Sequence, residues 1–241
     1  MSCKITKGFI LAAGEGTRLR PYTLERPKPM VEINGKTLID SALDQLFDIG
    51  VNDIVVNTHY LATMLETHLA KRNAPPQITI SHEPTLLNTG GGIKQALMHF
   101  ENEPFFCVSS DWLWTDNVAN TLQSMIGTWN GDKMDLLLLL QPLAHMTLTS
   151  AAGDYDIDEH GLLTRSLDQT GAHMWTSVRI MHPRLFDNAP EGAFSFLTLM
   201  DRAQEQNRLY GFVGDTYWHH ISTAQDLEKV RESLGDIKEY A

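Results

Sequence analysis

An apolar run, Phe9-Ile10-Leu11-Ala12-Ala13, passes directly into Gly14-Glu15-Gly16-Thr17-Arg18-Leu19-Arg20-Pro21, and Pro27-Lys28-Pro29 follows a few residues later. This is a strand delivered into a glycine-rich, cationic loop. Glycine lets backbone amides turn inward and come close to a ligand, because no Cβ stands in the way. Amides so placed form a concavity for anionic oxygens, and Arg18 and Lys28 add full positive charge. The chain is otherwise acidic, with 30 Asp and Glu against 19 Lys and Arg and a net charge of −11 over 241 residues. Cations gathered at one loop of an acidic chain point to a polyphosphate ligand. A tight turn with solvated charges is the plainer alternative.

The residues that follow alternate between two patterns. Residues 8–13, 53–57, 78–81, 105–109 and 134–141 read as strands, and 37–48, 61–71, 92–99 and 118–129 as helices. The helix over 37–48 carries Leu38, Ala42, Leu46 and Ile49 on one face and stops at Gly50, as a glycine just past a helix end would stop it. Apolar strands alternating with helices predict an α/β fold: a Rossmann-like, mixed and mainly parallel sheet flanked by helices. Ligands of such sheets sit at the carboxyl ends of the strands. Residues 14–18 and Asp111 both follow strands directly, so they are expected on one rim. Later residues read as a smaller α+β half: strands at 155–157 and 162–165 around a turn at 158–161, strands at 173–181 and 209–213, and helices at 196–206 and 224–234. No linker or low-complexity stretch divides the chain. One domain over 1–241 is expected, with a nucleotide half (1–132) and a sugar half (133–241).

Composition excludes several classes. Net negative charge argues against a general binder of nucleic acid or membrane surfaces. The longest apolar run, residues 136–140, is far too short to span a bilayer and reads as a buried strand. The N-terminal residues lack the apolar region of a signal peptide. The two cysteines, Cys3 and Cys107, do not make a disulfide framework, and Cys107 within Phe105-Phe106-Cys107-Val108 reads as a small core residue. A cytoplasmic protein is expected.

The full wording, Leu-Ala-Ala-Gly-x-Gly-Thr-Arg-Leu-x-Pro and then Pro-Lys-Pro-Met, resembles the N-terminal motif of the sugar-1-phosphate nucleotidyltransferases. It is neither the P-loop, which needs Gly-Lys-Ser/Thr, nor the dinucleotide fingerprint, whose glycines are spaced differently. The resemblance covers essentially the whole chain. It implies attack of a sugar 1-phosphate oxygen on the α-phosphorus of a nucleoside triphosphate, with pyrophosphate leaving. Residues Leu11, Ala12, Ala13, Gly14, Gly16 and Thr17 would then hold the nucleotide, with Arg18 toward the pyrophosphate. Lys28 would bridge the α-phosphate and the sugar phosphate. Asp111 matches the family's magnesium-binding aspartate, although Ser110 stands where the family usually has glycine; a helix-capping role is the alternative.

Thr89-Gly90-Gly91-Gly92 resembles the family's second glycine-rich segment, which implies that Asn88, Gly90 and Gly91 lie against the nucleobase. Relatives often have an acid where Asn88 stands, and a helix N-cap explains Asn88 or Thr89 equally well. On the sugar side the resemblance points to Gly153, Asp154, Trp175 and Thr176, with a core role open for Trp175. Trp218-His219-His220-Ile221-Ser222-Thr223 matches the family's Trp-x-Asp-x-Gly-Thr, with His220 in place of the second magnesium ligand. The resemblance implies Mg2+ as the cofactor; imidazole suits manganese or zinc better than magnesium, so Mn2+ stays open. A phosphate contact or a structural role for His220 is open too. Among short members, the Thr-Gly-Gly-Gly segment and Trp114-Thr115-Asp116 resemble the N-acetylmuramate-1-phosphate uridylyltransferases, which implies UTP and N-acetylmuramate 1-phosphate as partners. Mannose-1-phosphate guanylyl transfer is the alternative, and a nucleotide-binding sensor without turnover the reading from another class. Monomer and dimer are both open.

Overall fold

The structure is a computed structural model that describes residues 4–114, 118–146, 148–149, 151–215 and 218–235. Cys3, Thr115 and Asp116 therefore lie outside the described residues. The first strand, β1, spans Lys7–Leu11, and a small ribbon, β2 (Glu32–Ile33) with β3 (Lys36–Thr37), leads into helix α1 (Leu38–Asp48). Next come β4 (Asp53–Thr58), α2 (Ala62–Ala70), β5 (Gln77–His82), α3 (Asn88–Ala96) and β6 (Phe105–Ser109). A short β7 (Trp112–Trp114) precedes α4 (Val118–Thr128) and β8 (Leu136–Pro142). The remaining strands are β9 (Tyr155–Ile157), β10 (Leu163–Arg165), β11 (His173–Met181), β12 (Leu209–Val213) and β13 (Trp218–His220). Helices α5 (Leu197–Glu205) and α6 (Ala224–Ser233) complete the order.

Nine strands form one sheet in the order β10-β9-β11-β6-β1-β4-β5, with β8 joining β11 to β12. The block β5-β4-β1-β6 is parallel throughout, and β11 enters beside β6 antiparallel. The sheet thus runs without a break from the strands of the first half into those of the second. Strands buried on both faces need apolar residues at every position rather than at alternate ones. Phe105 to Val108 and Leu136 to Leu140 meet that demand, all at 0 % exposure. Cys107 belongs to this core, and burial pushes its thiol up to about 11.

Local chemistry explains the helix ends. The Thr37 hydroxyl accepts the Asp40 N–H (3.1 Å) at the start of α1, and Leu38, Ile39, Ala42, Leu43 and Leu46 face the core. Gly50, at φ 92°, turns the chain away after that helix, as its sequence position predicts. At α6 the Thr223 hydroxyl and the Asp226 carboxylate cap each other's backbone.

One pairing has no signature in the sequence. Strands β7 and β13 form a separate antiparallel ribbon that sets His220 opposite Trp112. The two three-residue strands lie about 100 residues apart in the chain, so neither presents a period to read.

Candidate active site

The carboxyl ends of β1, β4 and β6 open into a cavity of about 840 Å³. Leu11, Ala12, Ala13 and Gly14 line it from the end of β1, Asn57 from β4, and Ser109, Ser110 and Asp111 from β6. Arg18 and Lys28 reach it from the loop and turn that follow β1. The expected rim exists, and both loop cations are on it.

The loop's shape follows from its residues. Gly16 sits at φ 62°, and a Cβ there would come within 3.0 Å of Thr23 and 3.1 Å of Lys28. Its carbonyl accepts the Thr23 hydroxyl at 2.8 Å, so a side chain at 16 would be both strained and crowded. Gly14 has open space where its Cβ would be, so its backbone presents a bare face to the cavity. Thr17 is exposed and outside the lining, at the start of a 3-10 turn.

The Lys28 ammonium donates to Asp111 Oδ2 at 2.7 Å, and the Ser109 hydroxyl donates to Asp111 Oδ1. Burial on its own pushes the Asp111 carboxyl upward. Lys28, His220 and the Lys28 and Ser109 hydrogen bonds outweigh it and bring the group down to about 2. Asp111 is therefore ionised at any physiological pH. It precedes β7 and caps no helix, and Ser110 avoids the positive φ at which a glycine would be needed.

His220 lies close enough to Asp111, Lys28 and Arg18 to feel all three charges. Burial lowers its pKa first; Asp111 opposes that shift, and Lys28 and Arg18 add to it. The ring is neutral at pH 7 and stacks on Trp218 at 5.4 Å. A hard cation suits a carboxylate held ionised at the cavity edge, since Mg2+ takes one or two carboxylates plus phosphate oxygens and water. Among the described residues no group of three or more His, Cys, Asp or Glu could hold a metal, so substrate oxygens must complete such a site.

The second glycine-rich segment differs from its expectation. The N–H groups of Gly90 and Gly91 both donate to the Phe194 carbonyl, at 2.9 and 3.3 Å. A Cβ on Gly90 would lie 2.3 Å from the Phe194 ring, and one on Gly91 2.3 Å from the Gly192 carbonyl oxygen. These glycines let α3 pack against residues 192–194, and neither lines the cavity. Asn88 does line it, at φ 60°, with its side-chain oxygen accepting the Thr89 N–H at 2.7 Å. Neither Asn88 nor Thr89 caps α3, and the Thr89 hydroxyl accepts the Phe196 N–H at 3.0 Å.

On the other side, Trp175 lines the cavity, while Thr176 turns into the core and donates its hydroxyl to the Leu139 carbonyl at 2.9 Å. Alternate residues of a strand face opposite ways, so the wall is made of Trp175, Ser177 and Arg179. Asp154 stands behind it, accepting the Trp175 N–H at 3.0 Å, and burial raises its pKa. Gly153 packs on Gly171, so closely that a Cβ would lie 1.9 Å from the Gly171 carbonyl oxygen. Gly153, Asp154 and Thr176 thus support the wall without lining it.

Sequence reasoning missed Asn57, Glu83 and Arg179. Asn57 Oδ1 accepts the Ala12 N–H, and its Nδ2 donates to Glu83 Oε1, both at 2.7 Å. The other oxygen of Glu83 accepts the Leu87 N–H at 2.9 Å. This buried relay fixes the end of β1 to the start of α3. Its signal was available, since a polar residue closes the apolar run Ile54-Val55-Val56-Asn57.

A family model described as nucleotidyl transferase matches residues 7–137, more than half the chain and the whole cationic rim. The chain belongs to the nucleotidyl transferase family. As the motif resemblance implied, it is a sugar-1-phosphate nucleotidyltransferase. It is 35% identical over 222 residues to an N-acetylmuramate α-1-phosphate uridylyltransferase from Caulobacter vibrioides, covering 90% of this chain and 92% of that protein. A protein of the same description from Neisseria meningitidis is 29% identical over 96% of this chain and all of its own. The inositol-1-phosphate CTP transferase from T. maritima superposes with a TM-score of 0.78 at 20% identity, covering 99% of this nucleotidyltransferase chain and 98% of its own, a likeness of fold. No described helix is long and apolar enough to cross a membrane.

Proposed function

We propose that the protein transfers a uridylyl group from UTP to N-acetylmuramate 1-phosphate in the cytoplasm, as a step of cell-wall recycling. What carries this reading is near full-length similarity to two N-acetylmuramate α-1-phosphate uridylyltransferases, joined to a cationic rim around a cavity large enough for two substrates.

An oxygen of the sugar phosphate attacks the α-phosphorus, the bond to the bridging α–β oxygen breaks, and that oxygen leaves as pyrophosphate. The protein's work is to hold two anions in line and to stabilise charge on the reacting oxygens. The backbone at Gly14 and Gly16 and the guanidinium of Arg18 take up the triphosphate. Lys28 lies between the two phosphates, its ammonium held in place by Asp111. Asp111, with His220 nearby, would hold the divalent ion, which supplies charge neutralisation on the phosphate oxygens. The nucleotide lies mainly on residues 1–132 and the sugar mainly on 133–241, against Trp175 and Ser177.

Pyrophosphate release from each of the four common triphosphates, with and without each sugar phosphate, tests the proposal. Turnover is expected with UTP and N-acetylmuramate 1-phosphate together. Turnover of GTP with mannose 1-phosphate, and none with the uridylyl pair, refutes it.

A further inference from the structure

Arg179 is a buried cation in a wall that is otherwise aromatic or small, and it is the only Lys, Arg, Asp or Glu of β11. It stands between Val178 and Ile180, is 1 % exposed, and lines the cavity. Its guanidinium lies over two rings, 5.1 Å from Trp175 and 4.3 Å from Phe196. Its Nη1 approaches the Ser177 carbonyl at 3.5 Å. Nε and Nη2 meet no hydrogen-bond acceptor among the described residues. The titratable group acting on it is the Cys107 thiol, which burial keeps neutral, so no counter-charge comes from there.

A buried cation with unmet donors is costly, and folded proteins pair such groups or hold them for a ligand. The geometry of the free edge narrows the ligand. Nε–H and Nη2–H are adjacent, parallel donors on one side of the planar guanidinium, the fork that matches the two oxygens of a carboxylate. Position narrows it further. Arg179 pairs with Cys107 of β6, on the far side of β1 from Asn57 and Glu83. Cys107 precedes Asp111 by four residues, which places Arg179 about 13 Å along the sheet from the phosphate end of the cavity. Trp175 and Ser177 fill the wall between.

We propose that Arg179 is the specificity residue for the acceptor, its free guanidinium edge binding a carboxylate borne by the sugar of the sugar 1-phosphate. The proposal rests on the function assigned above and deepens it: N-acetylmuramate is N-acetylglucosamine carrying a lactate ether, and that lactate is the carboxylate Arg179 takes. N-acetylglucosamine 1-phosphate, the same ring without the acid, leaves the cation buried and unpaired and is rejected for that reason.

The test compares these two acceptors with UTP. The wild-type protein is expected to favour N-acetylmuramate 1-phosphate by about 100-fold in kcat/KM, the size of one desolvated charge pair. Arg179→Met keeps an unbranched apolar stem and removes the fork, and the preference should fall below about tenfold. Arg179→Lys keeps the charge without the fork and should fall between. Thermal melting checks the fold: Arg179→Met should melt no lower than wild type, because it removes a buried ion that has no partner in the free protein. An undiminished preference in a folded Met variant overturns the role of Arg179 and leaves the uridylyl reading standing. A Met variant whose defect appears in the KM for UTP, with the acceptor preference intact, overturns it equally, since the fork would then serve the nucleotide. A wild-type protein that uses neither acceptor with UTP overturns both readings.

Discussion

Asn57→Ala removes the link between the cationic loop and α3, and its cost can be worked from the contacts. The Asn57 side chain is 1 % exposed and makes two bonds of 2.7 Å, one from the Ala12 N–H and one to Glu83 Oε1. Truncation leaves the amide of Ala12, itself buried, without an acceptor. It also leaves Glu83, at 0 % exposure, with one donor fewer on its carboxylate. An orphaned buried group costs about 1–3 kcal/mol, and more when charged, so the sum is about 4 kcal/mol. In a chain of this size that lowers Tm by roughly 10 °C. The loop bearing Gly14, Gly16 and Arg18 loses its tether as well, and the KM for the nucleotide should rise about tenfold. Asn57→Asp is the sharper control. It keeps the acceptor for Ala12 but sets a second carboxyl against Glu83, and the two must share a proton. Their joint pKa is then raised in the folded state, so the folded protein binds more protons than the unfolded one above pH ~4, and stability falls as pH rises. Urea denaturation of the three proteins at pH 5 and pH 8 decides the matter. An Asn57→Ala protein within about 1 kcal/mol of wild type, or an Asn57→Asp protein indifferent to pH, refutes the relay.

Three further outcomes follow from other contacts. On the proposed function, Arg18→Ala and Lys28→Ala should each lower kcat/KM about 10²–10³-fold while the far-ultraviolet spectrum is unchanged, since each would remove a charge that meets phosphate from outside the core; pyrophosphate release measures it. Gly91→Ala drives a Cβ to 2.3 Å from the Gly192 carbonyl oxygen and should destabilise by about 2 kcal/mol in a thermal melt. Asp135 accepts from Arg208 Nε at 2.8 Å and from Arg184. Burial pushes its carboxyl up, and those two arginines outweigh it to leave the pKa lowered. Its contribution is thus full above pH ~4 and fades as pH falls through the lowered value. Asp135→Asn should cost about 3 kcal/mol at pH 7, and urea titration at pH 3 should show the gap narrowing.

The motif from Phe9 to Pro29 was legible because its chemistry is local. Apolar spacing gave the strand, Gly16 the left-handed turn, and the cations lie within the same short stretch, so neighbours in sequence are neighbours in space. The parallel block was legible for a similar reason: strands buried on both faces must be apolar throughout, and Phe105 to Val108 announces that without any partner in view. Asp111, just past that strand, falls on the rim by the same logic. The tertiary structure decided the rest. Gly90 and Gly91 could have faced a ligand or the protein, and only the approach of Phe194, about 100 residues later, settles that they face the protein. The choice between Trp175 and Thr176 as cavity wall depended on which face of β11 turns to the cavity and which to the core. His220 comes within electrostatic range of Asp111 because β7 pairs with β13, a pairing that two three-residue strands cannot signal. In the sequence Arg179 is a single cation followed by Ile180 and Met181, with nothing beside it to mark a role. Its meaning lies in what surrounds it, two rings and a cavity but, among the described residues, no acid, and long-range packing alone brings those together.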